Sequence, residues 1–452
     1  MTVSPAKHSE GGSSLVDVVF QIAFWGAIIA IAVILGALAA LAQITPGPQI
    51  ANAYEAGKAL YRQATEFSDR YRTDLWTRER NGNKGVTLHD PGRASQGLTL
   101  YTSAHENTVY LIDMDGKVVH RWHRPYSDIW DESSPVANPR PDEFTYMRKA
   151  VVRPNGDLLV VYEGNGDTPY GYAIAKLDKN SNVLWKQHIR AHHDFDIGAD
   201  GKIYVLTHEL REDRVLPFHH LASPYLDDYV VVLSPDGRIE SKTSLMEAFA
   251  NSAFRHLVFT VPGFALADPL HTNSLEVVTE AKAREFAFGK PGQILVSMRE
   301  LGVIAVLDLG ETSLKWATRS SWVAQHDPDL LENGNILLFD NLGNYEFPEG
   351  RSRVIEYDPE SNRIAWSYKG SADHPLDSDI RSSQQRLENG NTLITESSGG
   401  RLLEVTPDGD RVWEFVNPVR AGEDGRMIPI LCSGERIVPE RDLDPGFAEN
   451  LN

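Results

Sequence analysis

The sequence predicts an all-β fold, a six-bladed β-propeller, preceded by an N-terminal transmembrane helix and a helical stalk. Three observations lead to this prediction: an internal repeat of six strand-and-hairpin units, tryptophans at matching places in those units, and one long apolar stretch near the N-terminus. The predicted domains are an N-terminal tail, the transmembrane helix, the stalk or linker, the propeller and a C-terminal tail, at residues 1–17, 18–42, 43–95, 96–432 (with an insertion around 207–290) and 433–452.

The apolar stretch at residues 18–42 contains only one strongly polar side chain, Gln21. About 20 apolar residues suffice to cross a bilayer. A cleaved signal peptide is the alternative, because Ala40-Leu41-Ala42 resembles a cleavage site, although its apolar region would normally be shorter. We therefore predict an uncleaved single-pass anchor. The Lys and Arg residues that flank the stretch do not determine its orientation in the membrane.

A second helix is predicted after the helix-breaking Pro46-Gly47-Pro48. Over residues 49–75 the apolar side chains recur at helical spacing. We interpret this segment as a stalk that lifts the following domain off the membrane. The alternative is a helix that binds a partner within a membrane complex.

Each repeat of the following domain contains a glycine, an apolar run, and then a strand, a tight turn and another strand. Residues 156–162 and 334–339 are examples of the first part, and residues 175–186 and 404–414 of the second. Asp-Gly and Pro-Asp-Gly supply the turn chemistry in several repeats. Six short antiparallel sheets of this kind stack radially in a propeller. We interpret the recurring tryptophans as anchors that pack one blade on the next: Trp122, Trp185, Trp316, Trp366 and Trp413.

Composition excludes some classes of function. The chain has 44 basic and 63 acidic residues, a net charge of -19, which argues against a nucleic-acid partner. Its one cysteine, Cys432, excludes an intrachain disulfide.

Some residues depart from the repeat. The position eight residues before the turn glycine is Arg148, His193, His326 or Ser382 in four of the blades. The scaffold therefore does not require histidine there. In a propeller this position begins the strand that lines the central channel, so these polar side chains should converge at one mouth. The alternative is that a histidine there only binds water, and His192 is an alternative to His193 for the inward role.

The blade built around Gly292 adds further candidates. His271 and Asn273 are two residues apart and share one face of an extended segment, unless they form a simple turn. Arg299 lies within an apolar run and needs an anionic partner, either a nearby carboxylate such as Glu276 or Glu300 or a bound anion.

A donor-rich cluster of this composition suits an oxyanion such as sulfate or phosphate. Three histidines could also bind zinc, but their spacing matches no short metal motif and an arginine near a cation is unfavourable. These observations argue against a metal, and the resemblance described below implies that no cofactor is used. The cluster consists of His193, His271, Asn273, Arg299 and His326.

Over roughly residues 97–420 the chain resembles the bacterial aryl-sulfate sulfotransferases, six-bladed propellers that work outside the cytoplasm. The stretches that carry the resemblance are HHDFDIGADGKIYVL, DPLHTNSLEVV, ILVSMRELGVIAVLD, QHDPDLLENGNILLFDN and SSQQRLENGNTLITESSGGRLLEVTPDGDRVWEF. The resemblance implies that His326 is the nucleophile, which forms a sulfohistidine from a phenolic sulfate and passes the sulfuryl group to a phenolic acceptor. It also implies that His193, His271, Asn273 and Arg299 hold the sulfuryl oxygens, with no nucleotide-type donor and no metal.

The expected protein is thus a sulfotransferase anchored in the bacterial inner membrane, with its propeller on the periplasmic side. Its departures from the family are the anchor and stalk, which stand where soluble members carry a cleaved signal and a small β-domain. Two alternatives remain from the sequence: a non-catalytic propeller that serves as a subunit of a membrane complex, and a quinoprotein dehydrogenase, whose propellers usually have eight repeats rather than six.

Overall fold

The computed structural model describes residues 15–41, 57, 65, 67–345 and 351–451. The chain divides into two units, residues 1–68 and 69–452. The first unit contains the α-helix Leu15–Leu41. Its segment Leu15–Ala39 has a mean hydropathy of 2.6 and is long and apolar enough to be a candidate membrane span, as predicted.

Most of the predicted stalk lies outside the described residues, namely positions 49–56, 58–64 and 66 of the segment 49–75. From residue 67 onward the chain forms bends and then the 3-10 turn Arg70–Arg72 rather than a continuous α-helix. Asp69 begins this turn in an extended conformation, and its side chain accepts the backbone N–H of Tyr71. The predicted helix therefore does not reach residue 75, because Asp69 caps a new turn there.

The second unit is a ring of six antiparallel sheets, which confirms the predicted six-bladed propeller. Five blades have four strands and the sixth has a fifth strand on its outer edge. From the channel outward, the strands are Leu431–Ile437, Leu98–Ser103, Thr108–Ile112 and Val118–His123 in blade 1; Thr145–Val152, Leu158–Gly164, Gly171–Leu177 and Val183–Gln187 in blade 2; Ala191–Ile197, Ile203–Arg211, Tyr225–Leu233 and Ile239–Ser244 in blade 3; Thr272–Val277, Ile294–Met298, Val303–Asp308 and Ser313–Thr318 in blade 4; His326–Leu330, Ile336–Asp340, Arg353–Asp358 and Arg363–Tyr368 in blade 5; and Ser383–Arg386, Thr392–Glu396, Arg401–Val405, Arg411–Val416 and Gly85–His89 in blade 6.

Blade 1 closes the ring, because its innermost strand comes from the C-terminal end of the propeller. Leu431–Ile437 pairs antiparallel with Leu98–Ser103. The predicted boundary at residue 432 is therefore wrong: the first repeat has no inner strand of its own, and residues 433–437 supply it. The predicted linker also ends too late, since Gly85–His89 pairs with Arg411–Val416.

The remaining elements are short. Trp76–Arg78 pairs with Met427–Pro429, and Gly370–Ser371 pairs with His374–Pro375. The predicted insertion around 207–290 holds the outer strands of blade 3 and the first strand of blade 4, joined by the helix Leu245–Ala250 and the 3-10 helix Arg255–Thr260. The other helical turns are Tyr126–Asp128, Asp142–Phe144, Lys282–Arg284, Pro439–Asp442 and Pro445–Ala448.

Side chains join the inner strands of neighbouring blades at four of the six junctions, from blade 3 through blades 4, 5 and 6 to blade 1. Carboxylates or amides on one strand accept backbone N–H groups of the following strand. These pairs, which we call the inter-blade belt, are Asp194 with Leu275 (3.0 Å), Asp196 with Val277 (2.8 Å), Glu276 with Leu330 (2.7 Å), Asp327 with Gln384 (3.4 Å) and Gln385 with Arg436 (2.7 Å).

The repeat tryptophans contact the neighbouring blade, which supports the interpretation of these residues as anchors. The indole Nε1–H of Trp122 donates to the carbonyl of Gly156 in blade 2, at 3.0 Å. Trp413 in blade 6 donates to Met114 in blade 1, at 2.9 Å, and is completely buried.

Trp413 and Trp366 occupy the same position in their blades, and only the first is fully buried, so they form a matched pair. We expect Trp413→Ala to lower the free energy of unfolding by about 3–5 kcal/mol, because it leaves a cavity in the core. Trp366→Ala should cost about 1–2 kcal/mol. Denaturant unfolding of the detergent-solubilised protein measures both, and equal losses would contradict the difference in burial.

Candidate functional site

Six residues at one register position of the inner strands form a ring around the channel. On each inner strand, the last residue that pairs with the second strand serves as a common reference position. From blade 2 through to blade 1, these reference residues are Val152, Ile197, Val277, Leu330, Arg386 and Ile437. The residues four positions earlier are, in the same order, Arg148, His193, Asn273, His326, Ser382 and Ser433. All six line the same cavity of about 900 Å³. The structure thus brings three of the five predicted site residues into this ring.

β-Bulges accompany this ring. The strand pairing is interrupted between Met147 and Lys149, between Ala191 and Phe195, and between Thr272 and Ser274. His193 has a φ of 51° within its bulge. A bulge re-aims a side chain relative to the regular pleat, so Arg148, His193 and Asn273 can all point toward the channel. Apart from the polar residues themselves, no sequence pattern predicts these bulges.

His326 is held as one tautomer. Its Nδ1 lies 3.0 Å from the carbonyl oxygen of Ala324 and 2.8 Å from Oδ1 of Asn341. Asn341 donates its own Nδ2 to the carbonyls of Ser378 and Arg381, so its Oδ1 must face the histidine. Because both partners of Nδ1 are acceptors, Nδ1 carries the proton and the lone pair is on Nε2.

The ring of His326 is also neutral. Burial, followed by the positive charges of Arg148 and Arg299, holds the pKa of His326 well below its usual value. Among the described residues, no protein group hydrogen-bonds to its Nε2. A neutral imidazole with a free Nε2 lone pair is the form in which histidine acts as a nucleophile.

His193 is bonded to a second buried histidine. Its Nδ1 lies 2.9 Å from Nδ1 of His192, and its backbone N–H donates to Glu163 at 2.6 Å. Burial, and then the charges of His192, His271 and Arg148, keep the pKa of His193 well below its usual value. The two residues that the sequence offered for the inward role thus act together, His193 on the cavity and His192 behind it.

His271 differs from His326 and His193 because its imidazole favours the charged form. Its Nδ1 lies 2.6 Å from Oδ2 of Asp268. Burial lowers the pKa of His271, but the charge and hydrogen bond of Asp268 outweigh it and raise the pKa above its usual value. The centroid of its imidazole is 5.2 Å from that of His193, and His271 itself does not line the cavity.

Asn273 and Arg299 have partners inside the protein. Asn273 donates from Nδ2 to the carbonyl of Gln325 (2.7 Å), which braces the segment that leads into His326, while its buried Oδ1 has no partner. Arg299 is ion-paired with Glu300, which is one of the two carboxylates predicted from the sequence as its partner. It does not line the cavity of the ring, although its charge still contributes to the low pKa of His326.

Arg148 was not among the predicted site residues, although it was noted at the equivalent repeat position. Its side chain is buried, and its Nη1 donates to the carbonyl of Cys432 at 2.5 Å. Its Nε has no partner, and no carboxylate among the described residues forms an ion pair with it. A buried guanidinium without a carboxylate is a site for an anion. The signal in the sequence was an arginine at a position where the other blades carry uncharged side chains.

Comparison with known proteins identifies the family. The family model described as Arylsulfotransferase (ASST) matches residues 149–418, which is more than half of the chain. The chain belongs to the arylsulfotransferase family. The matched segment contains His193, His271, Asn273, Arg299 and His326. No curated protein matches the chain.

Solved structures align with the chain at low sequence identity. A protein of unknown function from Bacteroides caccae is 15% identical with a TM-score of 0.46, and the alignment covers 74% of this chain and 99% of that one. A streptogramin B lyase is 12% identical with a TM-score of 0.40, covering 81% and 98%. A virginiamycin B lyase from Staphylococcus aureus is 11% identical with a TM-score of 0.39, covering 79% and 97%.

One group of buried side chains has a composition suited to a metal. Single ligand atoms of His192, His208 and Asp228 lie within 4.8 Å of one another. However, Nε2 of His208 accepts the backbone N–H of Gly171 at 3.0 Å. The neutral ring must then carry its proton on Nδ1, which leaves no lone pair there for a metal, whereas a metal-bound histidine donates from its other nitrogen. These residues therefore do not fit a metal ion.

The wall of the cavity beyond the ring is mainly acidic, with Lys149, Arg153, Lys282 and Arg386 as basic groups on it. Burial raises the pKa of Asp194 to about 6, against the opposing charge of Lys149. Burial likewise raises the pKa of Glu435, on the closing strand of blade 1, to about 7. Such groups keep protons in the folded state at a pH where the unfolded chain has lost them.

Glu435 therefore makes stability depend on pH. Between its ordinary pKa of 4.5 and about 7, only the folded chain holds the proton, so stability falls as pH rises through this window. Glu435→Gln cannot ionise, and we expect it to be more stable than wild type at pH 8 by on the order of 1 kcal/mol, but not at pH 4. Unfolding at both pH values measures this. Glu440→Gln, at an exposed position, is the control, and an equal gain there would contradict the assignment.

Proposed function

We propose that the protein is a membrane-anchored aryl-sulfate sulfotransferase, which moves a sulfuryl group from a phenolic sulfate to a phenolic acceptor through a sulfohistidine at His326. The observation that carries this proposal is the juxtaposition on one cavity of a neutral histidine with a free Nε2 and a buried arginine without a carboxylate partner. The family match supports the reaction class.

In the first step, the Nε2 lone pair of His326 attacks the sulfur of the donor. The N–S bond forms while the bond from sulfur to the phenolic oxygen breaks, and the phenolate leaves with that electron pair. Nδ1 keeps its proton, so the sulfo group sits on an imidazolium that Asn341 and the carbonyl of Ala324 stabilise. The phenolate takes up a proton, which we assign to His271 because Asp268 favours its charged form.

In the second step, the acceptor phenol returns that proton to His271 and attacks the sulfur. The N–S bond breaks, and its electron pair returns to Nε2 of His326. Arg148 provides a planar fork for the sulfuryl oxygens in both steps, with His193 and Asn273 as further donors. Transfer in two steps predicts ping-pong kinetics.

Location is part of the proposal. The apolar helix Leu15–Leu41 would serve as a single-pass anchor in the bacterial inner membrane, with the propeller on the periplasmic side. The segment 49–75 is our candidate for contact with a membrane-complex partner. The phenolic acceptor and donor remain defined only by their class.

The first test removes the nucleophile. His326→Ala should lower transfer of sulfate from 4-nitrophenyl sulfate to a phenol by at least about 10⁴-fold, because no covalent intermediate can form. Wild-type protein incubated with ³⁵S-labelled donor should carry the label, and the variant should not. His256→Ala, at an exposed position, is the control. A wild-type protein without transfer to any phenol would instead favour a non-catalytic scaffold.

The second test concerns the residue that the sequence analysis missed. Arg148→Met should lower kcat/KM about 10²–10³-fold, since one charged donor to the sulfuryl oxygens is lost. Arg148→Lys should recover only part of the activity because it lacks the planar fork. Arg121→Met, on the exposed outer strand of blade 1, is the matched control. Full activity of Arg148→Met in steady-state assays would refute the role of this arginine.

A further inference from the structure

Behind His193 lies a buried group of side chains that the proposed reaction does not use. His192 precedes His193 on the inner strand of blade 3, and His208 and Asp228 face each other on its second and third strands. All three are at most 1% exposed. Three of their polar atoms have no hydrogen-bond partner: Nε2 of His192, Nδ1 of His208 and Oδ1 of Asp228. Orphaned buried atoms in one place call for a shared explanation.

The positions of the protons in this group can be assigned from the backbone hydrogen bonds at its two ends. At one end, the N–H of Gly171 makes Nε2 of His208 an acceptor, so Nδ1 of that ring is a donor. At the other end, Oδ2 of Asp228 accepts the N–H of Thr272 at 2.8 Å. Oδ1 of Asp228 lies 3.6 Å from Nε2 of His192. A small turn of the carboxyl group brings this pair within hydrogen-bond distance.

One proton on Asp228 then satisfies every atom. His208 Nδ1–H donates to Oδ1 of Asp228, and the carboxyl O–H donates to Nε2 of His192. His192 must then carry its proton on Nδ1, which donates across 2.9 Å to Nδ1 of His193. His193, which lines the cavity, is left with its proton on Nε2.

We propose that Asp228, acting through His192, sets the tautomer of His193 and thereby determines whether His193 can donate a hydrogen bond to the sulfuryl group. This inference rests on the proposed function. Asp228 and His192 are positioning residues, since neither reaches the cavity. When Asp228 loses its proton, the direction of these hydrogen bonds reverses. His192 then donates to the carboxylate and accepts from His193, and the Nε2 lone pair of His193 faces the anion.

The surroundings of Asp228 favour its neutral form. The titratable groups that face it are His192 and His208 from its own blade, Asp268 and His271 from the approach to blade 4, and Tyr170 from blade 2. Burial, and then the charge of Asp268, raise the pKa of Asp228 to about 7. Burial lowers the pKa of His192 to about 3, so its ring stays neutral throughout.

The reversal gives a specific pH dependence. Below pH 7 Asp228 is neutral and His193 donates; above it, His193 presents a lone pair to the anion. Both kcat/KM and the affinity for inorganic sulfate should therefore fall about tenfold per pH unit on the alkaline side. A merely structural Asp228 would leave only the fall that accompanies loss of the His271 proton, so the Asp228 variant is needed to separate the two.

Asp228→Asn tests the relay, because an amide cannot lose a proton in this pH range. Its oxygen can accept from Thr272 while its N–H donates to His192 at every pH, but its nitrogen cannot accept from His208 as the carboxyl oxygen does. We expect activity up to about tenfold below wild type at pH 6, because the N–H of His208 loses its acceptor, and a weaker alkaline fall than in wild type, because only His271 still loses a proton. Asp227→Asn is the matched control, because Asp227 is equally buried but bonds to Ser244 and Arg211. This variant should keep the wild-type fall of activity on the alkaline side. An unchanged alkaline fall in Asp228→Asn would overturn the relay.

A second readout does not depend on turnover. ¹⁵N chemical shifts of the histidine rings in the full-length protein distinguish Nδ1–H from Nε2–H tautomers. We expect His193 to change from Nε2–H to Nδ1–H as the pH rises from 6 to 8.5 in wild type, and to remain Nε2–H in Asp228→Asn. A His193 tautomer that changes neither with pH nor with the Asp228→Asn substitution would overturn the relay. Absence of sulfuryl transfer in wild type would overturn the proposed function, while the ring shifts would still decide the relay.

Discussion

The structure depends on the inter-blade belt, in which side chains on one inner strand accept the backbone N–H groups of the next. An inner strand has a free edge toward the channel, and its unpaired N–H groups need acceptors. Carboxylates such as Asp194, Asp196 and Glu276 supply them. Because these acceptors must be polar and buried, the channel becomes a place of low dielectric constant lined by ionisable groups. The perturbed histidines and acids of the site follow from that requirement.

The contrast between charged and neutral groups gives the site its chemical character. Burial removes the proton from His326 and His193, while Asp268 restores it to His271. Arg148 adds a buried guanidinium that forms no ion pair with a carboxylate among the described residues. The same chain therefore places neutral nitrogen lone pairs and fixed positive charge next to each other, although its net charge is strongly negative. Bulk composition says little about such a local arrangement.

The number of blades could be predicted from the sequence, because each blade repeats the same turn and strand chemistry. The polar positions of the ring could be predicted for four blades by counting from the turn glycines. Asn273 fell outside that count, since the loop between residues 277 and 294 displaces its glycine, and Ser433 did so because its strand comes from the far end of the chain. The pairing of Asn341 with His326 and of Arg299 with Glu300 depends on side-chain placement that no spacing reveals.

The closing strand of blade 1 ties the integrity of the chain to the anion site. Leu431–Ile437 supplies Ser433 to the ring, and the carbonyl of Cys432 orients Arg148. A polypeptide that stops before residue 431 lacks both, even though it contains every histidine of the cluster. An incomplete product of synthesis or proteolysis is thus left with an unclosed propeller and an unoriented arginine. One strand therefore completes both the ring of blades and the ring of polar residues around the channel.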